Sequence, residues 1–261
     1  IDEKDLTNRI ANKMIRPTTI PQTLEELIVE QALAREALSL SFIQHKQFAV
    51  SLKGVQQERT ISDAFEQSAS GKTLVDMLEL DLIVGSGGVL SHAPRRSQAF
   101  LMMVDSFNPL GITQIAVDSI FMMPQLGVLS SIHPEAALAV FDRDCLIKLG
   151  TSINPIIKNK SGDFDLFDYS FSYDSQDYKG TIKSHDLELI PIPYKPIDII
   201  LTPKNNVDLG EGFGQKIEAR IYGGQVGILF DGRIKDPENQ TIIKNKEKIK
   251  EWYNKAEVYS V

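Results

Sequence analysis

The residues best placed to do chemistry are Gly85-Ser86-Gly87-Gly88, which follow the apolar run Leu82-Ile83-Val84 and precede Pro94. Glycine has no Cβ, so such a turn lets the backbone approach a flat or phosphorylated ligand closely. A helix starting after the turn would offer unpaired N–H groups to an anion. The same glycines also serve a tight strand–turn–helix junction on steric grounds alone, and the residues leave both readings open. The spacing is not that of a dinucleotide fingerprint, because Leu90 stands three residues after Gly87 where that motif needs Gly. Ser70-Gly71-Lys72-Thr73 resembles the end of a P-loop, but Glu66 holds the place of its first glycine.

Other reactive side chains are scattered. The four histidines, His45, His92, His133 and His185, include no pair at helical metal-ligand spacing. His92 adjoins the glycine turn and reads as a partly exposed turn residue. Cys145, the single cysteine, sits on an apolar stripe and reads as a core thiol. Asp163, Asp165 and Asp168 have part of a calcium-loop spacing but lack its central Gly and terminal Glu, so they are expected in a solvated acidic loop. Lys244, Lys246, Lys248 and Lys250 alternate with Glu247 and Glu251, the pattern of a solvated helix face. No catalytic residue and no metal site is assigned. The chain reads as one side of a ligand site rather than a complete active centre.

Charge narrows the partners. With 28 Lys+Arg against 35 Asp+Glu, the net charge is −7, which argues against a nucleic-acid platform. A single cysteine excludes an intramolecular disulfide framework and fits a reducing cytoplasm. No run approaches the roughly 18 apolar residues needed to span a bilayer, so no membrane partner is expected. Ile1-Asp2-Glu3-Lys4-Asp5 lacks the pattern of a signal peptide. Because the chain begins at Ile1 rather than Met, it is expected to be a piece of a longer protein.

The elements that would position the turn follow from periodicity. Residues 1–16 carry Leu6, Ile10 and Met14 at helical spacing, ending before Pro17. After a connector holding Pro21, Thr23 and Glu26 form a capping box. Leu24, Leu27, Ile28, Gln31, Ala34, Leu38 and Phe42 then trace a long helix ending near 45–47. A strand is expected over 48–55, a short helix over 60–66 and a loop over 68–71. Leu80–Val84 and Ile115–Asp118 read as buried neighbouring strands. Helices are expected from Pro94 to Val104, over Gln125–Ser130 and over Glu135–Leu146. Beyond Gly150 the period changes. Ile197, Ile199 and Leu201 alternate, as do Ile217, Ala219 and Ile221, and glycines punctuate short runs such as Val226–Phe230. The expected layout is an α/β unit over residues 1–150, then a small, mainly antiparallel β domain over 151–261 closed by a helix at Ile242–Asn254.

Four stretches together carry a resemblance. Residues 81–94 (DLIVGSGGVLSHAP), 122–141 (MMPQLGVLSSIHPEAALAVF), 223–237 (GGQVGILFDGRIKDP) and 251–259 (EWYNKAEVY) stand in the order found in the MutL/GlmL family. The first of them resembles the adenosine motif of the actin, heat-shock-chaperone and sugar-kinase (ASKHA) superfamily. The family's members are accessory proteins of adenosylcobalamin-dependent glutamate mutase, unrelated to the mismatch-repair protein of the same name. The resemblance spans most of residues 15–254; the acidic stretch 163–178 matches nothing in it. It implies the C-terminal half of an actin-like (ASKHA, ribonuclease H-like) nucleotide-binding domain. Gly85, Ser86, Gly87 and Gly88 would border the adenosine of ATP or ADP. The phosphate and Mg²⁺ site would lie mostly in a half upstream of Ile1, and Asp118 would be a weaker, structural position. The implied role is ATP-dependent, chaperone-like reactivation of a cobalamin mutase whose subunits are the partners, without direct binding of cobalamin. Two alternatives stand beside it: a small-molecule kinase of the same superfamily, and a non-catalytic interaction domain whose glycine turn is structural.

Overall fold

A computed structural model describes residues 2–49, 75–158, 162–233 and 246–259. Most of the strand, and all of the short helix and loop, expected within 48–71 lie outside the described residues. Phe48 itself closes a helix. Helix α1 (Glu3–Ile15) starts at Asp2, whose carboxylate accepts the Asp5 N–H. None of its residues is buried. Helix α2 (Leu24–Phe48) opens with the expected capping box, Thr23 accepting from the Glu26 N–H while the Glu26 carboxylate accepts from the Thr23 N–H.

The glycine stretch then joins three elements. Strand β1 (Leu82–Gly85) runs into the one-turn helix α3 (Gly88–Ser91), and helix α4 (Arg96–Phe107) follows. The helix expected from Pro94 therefore begins two residues later. Arg95 is the cap, its N–H donating to the Gln98 side chain. Strand β2 (Gly111–Asp118) lies parallel to β1, with Ile83 opposite Ile115, so the two expected strands are neighbours, but β1 is not buried: it is the sheet's edge strand, with Leu82 exposed and Ile83 and Val84 half-buried. Helices α5 (Met123–Ser130) and α6 (Pro134–Val140) follow, each with Pro in its first turn. Helix α6 stops short of the expected Leu146. A π-helical turn, Phe141–Cys145, widens the chain there and delivers it to strand β3 (Leu146–Asn154).

Beyond β3 come β4 (Ile156–Ile157), β5 (Asp165–Tyr173), β6 (Gln176–Lys183), β7 (Leu187–Ile190), β8 (Pro196–Pro203), β9 (Val207–Asp208), β10 (Ile217–Tyr222), β11 (Gly227–Asp231) and helix α7 (Lys246–Lys255). The acidic stretch 163–177 is not a loop. It forms most of the β5–β6 hairpin, with Leu166, Phe167, Tyr169 and Phe171 buried while Asp165 and Ser172 stay exposed.

A five-stranded mixed sheet has the order β1-β2-β3-β11-β7, and a four-stranded antiparallel sheet has the order β10-β8-β5-β6. The residues thus form an α/β arrangement with mixed and antiparallel sheets. The boundary expected at residue 150 falls inside β3, and β7 and β11 join the sheet that β1 and β2 begin. Helix α4 is buried nearly all round, Ala99 to Val104 each at 2% exposure or less, and packs with Leu90, Val117, Leu149 and Trp252. A second core unites Ile153, Ile228 and Phe230 with Phe167, Tyr169, Ile199 and Leu201 of the four-stranded sheet. Tyr169 stacks on Phe230 at 4.2 Å, and its hydroxyl donates to Glu188 at 2.9 Å.

Two features bind these layers. At Gly150 the β3 backbone meets β11 so closely that a Cβ there would collide with the Gly227 carbonyl. Between α2, α4, β11 and α7, Arg233 makes a two-point ion pair with Asp231, at 2.8 and 2.7 Å, and reaches Asp105 at 2.9 Å. Arg35 of α2 reaches the other Asp105 oxygen at 3.1 Å. Burial alone would lower the pKa of both guanidiniums, but Asp231 and Asp105 outweigh it at Arg233, and Asp105 together with Tyr253 and Tyr259 does so at Arg35, so both are held raised.

Replacing Gly150 by Ala should lower unfolding free energy by at least ~3 kcal/mol, because only backbone movement relieves the clash. Arg233→Met leaves Asp231 buried without its two-point partner and should cost ~3–5 kcal/mol. Urea denaturation followed by circular dichroism measures both, and a change under ~1 kcal/mol in either would refute its rationale.

Candidate functional site

A cleft of ≈ 690 Å³ opens between the connector from Pro17 to Leu24, the start of α2, and the segment Gly88–Pro94. Its apolar lining includes Ile20, Pro21, Leu24, Leu27, Val89 and Ala93, with Thr18, Thr19, Gln22, Thr23, Gln31 and His92 as polar groups and Glu30 as a carboxylate. The volume lies within the range of small-molecule sites, roughly 300–1,000 Å³.

The walls are fixed by hydrogen bonds between α2 and α4. The buried Gln31 amide donates to Gln98 at 3.0 Å, and the Tyr259 hydroxyl donates to the Gln31 oxygen at 2.6 Å. Gln98 in turn donates to the Val258 carbonyl at 3.0 Å. The other wall is tied to β2, since the Ser91 hydroxyl donates to the Asp118 carbonyl at 2.5 Å. The fully buried Asp118 carboxylate accepts the Met123 N–H at 2.9 Å and holds the turn that leads into α5. Its surroundings are those of a structural residue.

The four residues of the turn have four different environments. A Cβ at Gly85 would stand 2.7 Å from the Met103 sulfur and 2.8 Å from Leu90, so glycine is required there by packing. The Ser86 hydroxyl is buried and has no hydrogen-bond partner among the described residues. Gly87 has φ +101°, a conformation that L side chains rarely adopt. Gly88 is under neither constraint. Its φ is ordinary for any residue, a Cβ on it would meet nothing within 4 Å, and it lines the cleft. The turn therefore brings Gly88 to the cleft with His92, while Gly85 and Gly87 shape the backbone that places it there.

The opposite wall was not foreseen from the sequence. Pro17 and Pro21, which stiffen the connector facing Gly88, were the available signal. The remaining reactive groups lie elsewhere. Cys145 is buried; desolvation, aided by the charges of Asp118 and Asp144, pushes its thiol pKa up, as a core thiol requires. Among the described residues no group of three His, Cys, Asp or Glu side chains could hold a metal ion. Among them, too, no helix is long and apolar enough to cross a membrane.

A family model described as MutL protein matches residues 1–145. The chain belongs to the MutL protein family. This is the glutamate mutase accessory type, not the mismatch-repair protein. No curated protein and no solved structure matches the chain. Every residue that lines the cleft, from Pro17 to Pro94, lies inside the MutL-matched span.

The three glycines should separate on substitution. Gly87→Ala should cost ~1–2 kcal/mol through its left-handed backbone. Gly85→Val should cost ~1–3 kcal/mol by overpacking Leu90 and Met103. Gly88→Ala should leave the unfolding midpoint unchanged or slightly raised. Thermal and urea unfolding of the three variants check this ordering, and a Gly88→Ala variant as unstable as the other two would contradict it.

Proposed function

We propose that this chain serves an adenosylcobalamin-dependent mutase of the glutamate mutase type as a nucleotide-binding accessory factor, acting in ATP-dependent, chaperone-like reactivation. On this reading it is the C-terminal half of an ASKHA-type domain, and the adenosine of ATP or ADP packs in the cleft beside Gly88. The observation that carries the proposal is Gly88 itself. Neither backbone conformation nor packing asks for glycine there, yet the position lines a largely apolar cleft of ≈ 690 Å³. Glycine in open space is explained by something that must come close to the backbone. A purine suits the site chemically, since flat apolar faces meet Ile20, Leu24 and Val89 while Gln22 or His92 supplies a polar contact.

The phosphates and their magnesium ion would be held by the other half of the parent protein, where phosphoryl chemistry needs them positioned in line with a nucleophile. This chain would contribute the adenosine side and no catalytic residue. The four-stranded sheet β10-β8-β5-β6 is available to contact the mutase subunits, and cobalamin would stay with the mutase.

Without the charge-assisted bonds to the phosphates, binding of adenosine or ADP by this chain should be weak, on the order of millimolar. Ligand-detected NMR measures it. Gly88→Val should abolish the signal while the unfolding midpoint is retained, because the added side chain projects into the cleft and not into the fold. Unchanged affinity in Gly88→Val would place the site elsewhere. Tight ATP binding or ATP turnover by this chain alone would overturn the half-cleft reading. Capture of a cobalamin-dependent mutase subunit by the parent protein tests the accessory role, and loss of capture in Ile200→Asp, an exposed position of β8, with an unchanged circular dichroism spectrum would assign the contact to the four-stranded sheet.

A further inference from the structure

Residues 119–140 contain one carboxylate, Glu135, one imidazole, His133, and no lysine or arginine. They carry α5 and α6, which pack on one another, and α6 also packs on the π-helical turn that follows it. Within 120–140 only Leu126 and Ala137 are buried. Ile120 and Phe121 are more than half exposed, and Val128, Ile132 and Leu138 are exposed at 72%, 72% and 68%. Together these five side chains present on the order of 600 Å² of apolar surface, at the upper end of what a monomer leaves uncovered.

Two further features have a cost without a return among the described residues. Phe121 has φ +58°, a left-handed backbone that is a true outlier for an aromatic residue and costs roughly 1–3 kcal/mol. The turn is held by the Asp118 carboxylate, which accepts the N–H groups of Ile120 and Met123, and it leaves Phe121 in solvent. Gly127 sits in the middle of α5, where glycine costs about 1 kcal/mol relative to alanine. A Cβ there would meet nothing within 4 Å among the described residues, whose packing does not require glycine. Both make sense if another helix approaches α5 closely beside an ordered Phe121.

We propose that the α5–α6 hairpin is a self-association surface, pairing with the same hairpin of a second copy about a two-fold axis, with Gly127 at the closest approach. Charge selects a second copy. An isologous contact sets a surface against itself, which on most faces of a −7 chain opposes carboxylates to carboxylates. This hairpin holds a single carboxylate and escapes that repulsion. The absence of Lys and Arg over 119–140, together with the overall negative charge, removes the attraction that interfacial helices use to hold anionic membranes. The exposed apolar area is about three-quarters of the ~800 Å² per partner of a standard interface.

Sedimentation velocity of the full 261-residue chain over a concentration series tests the proposal. A dimer with a dissociation constant on the order of 10 μM or tighter is expected. Ile132→Glu and Val128→Glu, both at exposed positions, should weaken it at least ~100-fold with unchanged circular dichroism and unfolding midpoint. Gly127→Leu should weaken it by blocking the close approach. A wild-type chain that stays monomeric at about 100 μM would overturn the proposal. So would a dimer that survives Ile132→Glu. Flotation of a monomeric wild type with phosphatidylcholine vesicles, lost in Ile132→Glu, would overturn it in favour of a lipid surface.

Discussion

Two arginines and two aspartates, drawn from distant parts of the chain, share one largely buried site. Arg35 comes from α2, Asp105 from α4, and Asp231 and Arg233 from the end of β11 and just beyond it. Trp252 and Tyr253 of α7 cover them, with Arg233 over the Trp252 ring at 5.6 Å and Arg35 over Tyr253 at 5.4 Å. Two positive and two negative groups leave no net charge to bury, which is what makes such a cluster tolerable in a low-dielectric interior. Its structural consequence is directional. Apolar packing would let α2 slide on α4, whereas Arg35 against Asp105 and Gln31 against Gln98 fix its register. The cleft is bounded by α2 on one side and by the segment leading into α4 on the other, so its width depends on that register.

The C-terminal segment extends the same dependence. After α7, Glu257 takes a left-handed backbone and its carbonyl accepts from Ser97 at 3.0 Å and Arg95 at 3.3 Å. Val258 is fully buried and accepts from Gln98, and Tyr259 donates to Gln31. The C-terminal tail and α2 thus meet at the N-terminal turn of α4, within a few residues of the cleft. Elements that look peripheral in the sequence, α7 and its tail, therefore hold the two walls together.

Much of this was legible in the sequence where the governing physics is local. The capping box at Thr23 and Glu26, the prolines that open α5 and α6, and the alternation at Ile197, Ile199 and Leu201 depend on residues a few positions apart, and each stands where expected. The failures are non-local or masked by polarity. Alternation says which face of a strand is buried, not which sheet it joins. The change of period near Gly150 therefore gave no sign that β11 returns to pair with β3 in parallel. In 163–177 the acidic residues drew attention away from Leu166, Phe167, Tyr169 and Phe171, whose burial makes β5 a core strand; Asp168 is accommodated at the surface by Thr181 and Lys204. The π-helical turn ending at Cys145 has no local signal. It is set by the need to bring the Cys145 carbonyl to Ser119, which donates to it from both backbone and hydroxyl at 2.9 Å.

The glycine turn shows how far sequence reading of a site can go. A cluster of glycines after a short edge strand has one appearance in sequence and different causes in the structure. Gly85 makes room for Met103 and Leu90, Gly87 turns the chain, and only Gly88 is left without an internal reason. In the sequence, a ligand-bordering and a steric reading were open for all of them alike. The first two causes are consequences of the fold, and any protein with the same strand–turn–helix junction would need them whether or not it bound anything. The proposed ligand contact at the turn is therefore argued from Gly88 and from the cleft it borders. The second wall of that cleft is contributed by residues more than sixty positions earlier, and it becomes part of the site only because the buried polar contacts between α2 and α4 hold it there.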